Sequence, residues 1–183
     1  MGFGPLEDIP LIRMKKRELT AFLPIKQITL LLAEDHATFR KSIKLLVESD
    51  GDIRVVGEAK NGREAVRLTM SLHPEVVVMD IAMPLLNGLQ ATRQIMETSP
   101  ATRVLILSAN PDPEYIRQAM LLGASGYLIK QSSTQDLAQA VREVLKGETH
   151  FSASISKSQR DQGRQIFAKA ESLKKRTARL ALS

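Results

Sequence analysis

The sequence has no cysteine and no long hydrophobic run. Without cysteine the chain can form neither disulfide bonds nor a zinc site built on thiolates. Every apolar segment is shorter than the roughly 20 residues that a membrane-spanning helix needs. The first residues also lack a basic flank followed by a long apolar core, so they do not resemble a secretion signal. We therefore expect a cytoplasmic protein that has no membrane partner.

The net charge of +6 comes from the two ends of the chain. Residues 28–150 contain 13 basic and 15 acidic residues, whereas residues 151–183 contain 8 basic and 2 acidic residues. Residues 1–27 contain 5 basic and 3 acidic residues. The central part of the chain therefore lacks the positive surface charge that is typical of a nucleic-acid-binding domain.

Four short apolar runs each end at a chemically reactive side chain. The runs cover residues 30–33, 76–79, 104–107 and 127–129, and the residues that follow them are Glu34 with Asp35, Asp80, Ser108 and Lys130. Apolar runs without polar alternation suit strands that are buried on both faces of a parallel sheet. The segments between them carry apolar residues at helical spacing. This alternation predicts an α/β fold.

In an open parallel sheet, the carboxyl ends of the strands meet at one crevice, where ligands bind. We therefore expect Glu34, Asp35 and Asp80 to lie close together, with Ser108 and Lys130 beside them. Three neighbouring carboxylates repel one another unless a cation lies between them. Mg²⁺ prefers such oxygen ligands, and the three histidines have no spacing typical of a metal site. The pattern therefore predicts a magnesium site.

At these positions the chain resembles the receiver domain of two-component response regulators, from about residue 28 to residue 145. The resemblance depends on four motifs in this order: Leu32-Ala33-Glu34-Asp35, residues 78–88 around Asp80 and Pro84, Leu107-Ser108-Ala109, and residues 123–130 ending at Lys130. Each motif alone is weak, whereas the four together are specific. In detail the chain is most similar to the receivers of NarL/LuxR-type transcription regulators.

The resemblance implies a role for each site residue. Asp80 would accept a phosphoryl group from a histidine kinase. Glu34, Asp35, Asp80 and the backbone carbonyl of Ala82 would hold Mg²⁺. Ser108 and Lys130 would bind the phosphoryl oxygens, and Tyr127 would be the switch aromatic. Residues 111–122, with the strand before Lys130, would form the surface that transmits the signal.

Ordinary structural roles are alternatives for the same residues. Asp35 suits the N-cap of a helix that begins near His36. Asp80 and Lys130 could each be a polar residue that closes a strand, and Tyr127 could be buried for packing alone. Pro111 and Pro113 stiffen the loop after Ser108, and they predict a helix that begins at Pro113 or Glu114.

The implied fold is a doubly wound, five-stranded parallel sheet of the flavodoxin-like type. We expect an N-terminal extension over residues 1–27, a receiver domain over residues 28–147 and a polar linker over residues 148–164. Residues 165–183 would form a basic amphipathic helix, which would either dock on a neighbour or on the domain, or act as a dimerising segment. That helix would lead to a DNA-binding output domain that this sequence lacks.

The implied function is a phosphorylation-activated response regulator that catalyses its own phosphorylation and dephosphorylation and is otherwise not an enzyme. We expect it to form a homodimer on activation and to reach DNA only through the output domain. The alternative is a stand-alone receiver that acts by docking on a partner protein. A phosphatase with an aspartate nucleophile is disfavoured, because that class needs a second aspartate two residues later and position 82 is Ala.

Overall fold

The computed structural model describes residues 27–131 and 134–180, and within them strands and helices alternate along the chain. The predicted N-terminal extension lies outside the described residues, except for Gln27. In chain order the elements are β1 (Ile28–Ala33), α1 (Ala37–Val47), β2 (Ile53–Ala59), α2 (Gly62–Leu72), β3 (Val76–Asp80), α3 (Gly88–Thr98), β4 (Arg103–Ser108), α4 (Pro113–Leu121), β5 (Gly126–Ile129), α5 (Thr134–Leu145), β6 (His150–Phe151) and α6 (Lys157–Leu180). None of the helices described has the length and apolar composition needed to cross a membrane.

All strands belong to one parallel sheet with the order β2-β1-β3-β4-β5-β6. The predicted flavodoxin-like fold is confirmed, and the two-residue strand β6 adds one strand to the five expected. In the register, Ala33 pairs with Met79 and Asp80 pairs with Leu107. The carboxyl ends of β1, β3 and β4 are therefore level with one another, which brings the residues that follow them to one edge of the sheet.

The alternation of side chains along each strand divides the apolar residues between two cores. Leu31, Val77 and Ile106 face one side of the sheet, where they pack with residues of α2, α3, α4 and α6. Leu30, Val78 and Leu105 face the other side, where they pack with α1 and α5. All six strand residues are fully buried. Since β1, β3, β4 and β5 each contribute to both cores, their sequences contain continuous apolar runs.

The helices α3 and α4 begin at the residues that the sequence favours. The Asn87 side chain accepts a hydrogen bond from the backbone N–H of Gln90 at 2.9 Å, and the Gln90 side chain accepts one from the N–H of Asn87. Such a capping box satisfies N–H groups that have no partner inside the helix. Pro113 is the first residue of α4, as predicted, and Asp112 caps that helix through the N–H of Glu114.

The segment predicted to be a linker, residues 148–164, differs from that expectation because it contains β6 and the first turns of α6. The backbone N–H of Ser152 donates to Tyr127 O, and the Ser152 hydroxyl accepts from the N–H of Ile129 at 2.9 Å. Ile155 is 1% exposed. The segment docks on the sheet through these hydrogen bonds and few buried apolar side chains. Its polar composition therefore does not reveal the docking.

The helix α6 begins earlier than the basic helix expected from about residue 165. Phe167 of α6 is buried in the same core as Phe151. At Gly163 the helix lies so close to the Phe151 ring that an added Cβ would lie 2.5 Å from Phe151 Cζ. A side chain at this position would require either the Phe151 ring or the helix to shift.

We predict that replacing Arg142 by Gln weakens the fold in a pH-dependent manner. Arg142 Nε is 2.7 Å from Asp52 Oδ2, and Nη2 is 2.7 Å from Asp50 Oδ2. The hydrogen bond from Arg142 holds the pKa of Asp52 below its ordinary value of 3.8. The stabilisation is therefore complete above pH 3.8 and is lost as the pH falls through the lower pKa of the folded state.

Urea unfolding should show a loss of about 1 kcal/mol for Arg142→Gln at neutral pH, because these carboxylates are partly exposed and water screens the pairs. The difference from the wild type should disappear in strong acid. Arg93→Gln is the control, since its partner Glu97 is on the same exposed helix face. A loss for Arg142→Gln that stays constant down to strong acid would contradict the pairing.

Candidate functional site

Lys130 lies between two buried carboxylates at the carboxyl edge of the sheet. Its Nζ is 2.8 Å from Glu34 Oε2 and 2.9 Å from Asp80 Oδ2. The Glu34 and Asp80 side chains are 1% and 2% exposed, and Lys130 is 17% exposed. Lys130 Nζ also lies 5.1 Å from the centre of the Phe39 ring. The predicted convergence of β1, β3 and β5 is therefore seen in direct contacts.

The charge of Lys130 is retained at neutral pH. Burial lowers its pKa, but the hydrogen bonds to Glu34 and Asp80 outweigh burial and raise the pKa above the ordinary 10.5. A fixed cation beside Asp80 can pair with added negative charge.

Asp35 lies beside His36 at the start of α1. His36 occupies the N-cap position of α1, and its side chain makes no capping hydrogen bond. The suggested N-cap role of Asp35 is therefore wrong. Instead, the His36 Nδ1 atom is 2.8 Å from Asp35 Oδ1 and 3.1 Å from Glu34 Oε1.

The sequence pattern does not single out His36, because the three histidines at positions 36, 73 and 150 lack the spacing of paired metal ligands. Possible ligand atoms of Glu34, Asp35 and His36 all lie within 4.8 Å of one another. The signal that could have found His36 is its position directly after two acidic residues that were already assigned to the site.

The oxygen donors of the site fit a hard divalent cation. Glu34, Asp35 and Asp80 offer three carboxylates. Among the described residues, Lys130 is the one lysine that pairs with Glu34 and Asp80, whereas Asp35 contacts His36. The negative charges exceed that single positive charge, so a divalent ion would relieve the remaining repulsion. Carboxylate ligands with room for water are the surroundings that Mg²⁺ prefers.

The loop after Asp80 is held by hydrogen bonds to the Asp80 side chain and to the Ile81 carbonyl. The N–H of Ala82 donates to Asp80 Oδ1 at 3.3 Å, and the N–H groups of Met83 and Gly88 both donate to Ile81 O at 3.0 Å. At Gly88 an added Cβ would lie 2.0 Å from the carbonyl oxygen of Asp80. Glycine is therefore required for α3 to begin this close to the acidic residue.

Ser108 and Tyr127 lie next to the ion pairs and share one backbone partner. The Ser108 hydroxyl is 3.3 Å from Asn110 O, and the Tyr127 hydroxyl donates to the same oxygen at 2.8 Å. Tyr127 is fully buried, and burial raises its pKa to about 12. A movement of the Ser108 hydroxyl would therefore alter the hydrogen bonding of Tyr127, because both hydroxyls contact the Asn110 carbonyl oxygen.

One side of α4, within the surface predicted to transmit the signal, faces α6. Pro113, Ile116 and Arg117 of α4 line a small crevice whose opposite wall is formed by α6. The residues of that wall are Gln159, Gln162, Gly163 and Ile166. The side of α4 that faces α6 is therefore in contact with this chain's own C-terminal helix.

The model of the response regulator receiver domain family matches residues 30–142. The chain belongs to the response regulator receiver domain family. Receiver domains of response regulators are phosphoacceptors. In this receiver domain, Glu34, Asp35, Asp80, Ser108 and Lys130 all lie within the matched residues.

Curated relatives include the transcriptional regulatory protein DegU of Brevibacillus brevis, which is 33% identical over 130 residues covering 71% of this chain and 55% of that protein. The nitrate/nitrite response regulator protein NarL of Escherichia coli is 35% identical over 128 residues, which cover 70% of this chain and 59% of that protein. The receiver is thus similar to receivers of NarL/LuxR-type regulators, and the chain spans less than two thirds of the length of these relatives.

Solved structures have the same fold. A LuxR-family two-component response regulator from Aurantimonas has a TM-score of 0.67 and 31% identity, and the match covers 79% of this chain and 98% of that structure. The signal receiver domain of the putative response regulator NarL from Mycobacterium tuberculosis has a TM-score of 0.65 and 32% identity, with 67% of this chain and 99% of that structure covered.

Proposed function

We propose that this receiver domain is switched by phosphorylation of Asp80 in a two-component pathway. A carboxylate oxygen of Asp80 would attack the phosphorus of a phosphohistidine on a kinase. The new O–P bond would form as the N–P bond breaks, and the imidazole would leave with its electron pair and take a proton from water. The position of Asp80, buried beside Lys130 and the Glu34 carboxylate, carries this proposal.

Glu34, Asp35, Asp80 and the Ala82 carbonyl are the residues that we propose hold Mg²⁺. When bound, the ion would neutralise charge on the phosphoryl oxygens. The chain's own groups would orient the nucleophile, because the Asp80 side chain is held by Lys130 and by the N–H of Ala82. The same groups would support the proposed self-catalysed phosphorylation and dephosphorylation.

Lys130 and Ser108 would pair with the added phosphoryl group. A phosphoryl group can take Lys130 away from Glu34 and Asp80 and can draw the Ser108 hydroxyl from Asn110. These interactions exist only in the phosphorylated state, and such a difference is what shifts a two-state equilibrium. Tyr127 and the start of α4 would follow, because both adjoin Asn110.

The relatives favour an output through transcription over a stand-alone docking module. DegU is named as a transcriptional regulatory protein, and NarL as a response regulator. We propose a histidine kinase as the phosphodonor, a homodimer as the activated form, and DNA contact only through an output domain. The division into an extension, a receiver, a connecting segment and a C-terminal basic helix stays a prediction.

Intact mass spectrometry tests the proposal directly. The chain should gain the mass of one phosphoryl group when incubated with acetyl phosphate and Mg²⁺. With EDTA in place of Mg²⁺ the gain should fall sharply, and a brief treatment with alkali should remove the group, as expected for an acyl phosphate. An unmodified chain after incubation with both acetyl phosphate and a panel of phosphorylated histidine kinases would overturn the proposal.

A further inference from the structure

Arg40 of α1 is a buried guanidinium directed at the backbone of the acidic residues. It is 8% exposed, although arginine is rarely buried without partners. Its Nη1 donates to Glu34 O at 2.6 Å and to Asp35 O at 3.4 Å. The Arg40 side chain therefore binds the backbone carbonyls of the two residues whose carboxylates lie in the site.

Both backbone polar groups of Glu34, its N–H and its carbonyl, are hydrogen-bonded. Its N–H donates to Ala59 O at 3.0 Å, which continues the pairing of β1 with β2, and its carbonyl is held by Arg40. Fixing both groups limits the backbone angles of Glu34. The direction of its carboxylate, which contacts Lys130, is limited as a result.

The charge of Arg40 is balanced away from the site by Glu58 of β2. Arg40 Nε is 3.1 Å from Glu58 Oε2, and Lys44 Nζ is 2.9 Å from Glu58 Oε1. The hydrogen bonds from Lys44 and Arg40 outweigh burial and lower the pKa of Glu58. Glu58 is thus anionic at neutral pH, and it partly cancels the positive charge of Arg40 that would otherwise repel a cation.

We propose that Arg40 is a positioning residue for divalent cation binding, and that Glu58 keeps its charge from opposing that binding. Arg40 sets the backbone from which the Glu34 and Asp35 carboxylates project. This inference rests on the proposed function, because it takes those carboxylates as Mg²⁺ ligands. Hydrogen-bonded groups behind metal ligands commonly change metal affinity by 10–100-fold when they are removed.

Isothermal titration calorimetry with Mg²⁺ alone tests the proposal on the complete chain. Arg40→Gln should raise the Mg²⁺ dissociation constant about tenfold, because the grip on the Glu34 carbonyl is lost. Arg40→Lys keeps the charge and one donor group, so it should recover part of that affinity. Lys41→Gln is the control, since Lys41 is the next residue and is exposed.

Glu58→Gln tests the second half of the proposal by leaving two cations without their carboxylate partner. It should weaken Mg²⁺ binding severalfold at low ionic strength, and added salt should reduce this effect because salt screens charge repulsion. The loss in Arg40→Gln should persist at high salt, because it is a loss of geometry. A loss that salt reduces indicates an effect of charge, whereas a loss that salt leaves unchanged indicates an effect of position.

A purely structural role for Arg40 predicts a different result. Arg40→Gln would then unfold at a lower temperature, while its folded form would bind Mg²⁺ within twofold of the wild-type affinity, and this result would overturn the proposal. If Arg40→Gln fails to fold, Arg40→Lys decides: Mg²⁺ affinity equal to the wild type would also overturn it.

The two proposals can fail separately. Suppose that the wild type binds Mg²⁺ and Arg40→Gln lowers that affinity as expected, but the wild type takes no phosphoryl group. That result would overturn the proposed function and support this inference. If the wild type is phosphorylated normally and Arg40→Gln binds Mg²⁺ with unchanged affinity, the proposed function is supported and this inference is overturned.

Discussion

Replacing Asp80 by Asn should abolish phosphoryl incorporation from acetyl phosphate or a kinase. The carboxamide has nearly the same shape as the carboxylate, but it lacks the anionic oxygen that attacks phosphorus. The backbone contact from Ala82 to Oδ1 can persist in the variant, so the fold should remain. Intact mass spectrometry and phosphate release under alkali should show no modified species at times when the wild type is fully labelled.

The matched control for that experiment is Asp161→Asn, which makes the same chemical change on α6, where Asp161 pairs with Arg164. It should be labelled like the wild type. If Asp80→Asn is labelled at the wild-type rate, another residue must be the phosphoryl acceptor. Peptide mapping of that product would then identify the residue.

Replacing Lys130 by Met should destabilise the chain when Mg²⁺ is absent. The change leaves the buried Glu34 and Asp80 carboxylates without the cation that now contacts both. Loss of one partner from a buried pair costs roughly 3–5 kcal/mol. Because Lys130 is partly exposed to water, we expect about 2 kcal/mol in urea unfolding, below the roughly 3 kcal/mol lower end for buried pairs.

Mg²⁺ should restore part of the stability of Lys130→Met, because a divalent cation supplies the missing positive charge and binds only the folded chain. Lys146→Met serves as the control, since Lys146 is exposed and directly follows the last residue of α5. Lys130→Met should still accept a phosphoryl group, but slowly. Hydrogen exchange in the loop after Ser108 and in α4 should change little on its phosphorylation, and a wild-type response there would contradict the switch role of Lys130.

The sequence predicted the sheet and much of the site because both depend on local patterns. Continuous apolar runs occur where a strand is buried on two faces, and parallel strands bring the residues after them to one edge. That reasoning placed Asp80, Glu34 and Lys130 together, and their contacts at 2.8 and 2.9 Å agree. The roles of Ser108 and Tyr127 came from the family resemblance and stay predictions.

The features that sequence reasoning missed depend on single long-range contacts. The docking of β6 needs only a few buried residues, such as Phe151, in a segment that is otherwise polar. Arg40 looks like an ordinary charged helix residue until the fold brings the Glu34 carbonyl within 2.6 Å of it. Neither feature produces a periodic pattern along the chain.

The packing of α6 on α4 also affects how this receiver domain can meet other molecules. Residues 152–156 join β6 to α6 and are themselves docked on the sheet, so the helix is held near α4 within the same molecule. A protein that recognised the covered side of α4 would have to displace this tethered competitor. Its apparent affinity would consequently be lower for the intact chain than for one in which Gly163 is replaced by a bulky residue.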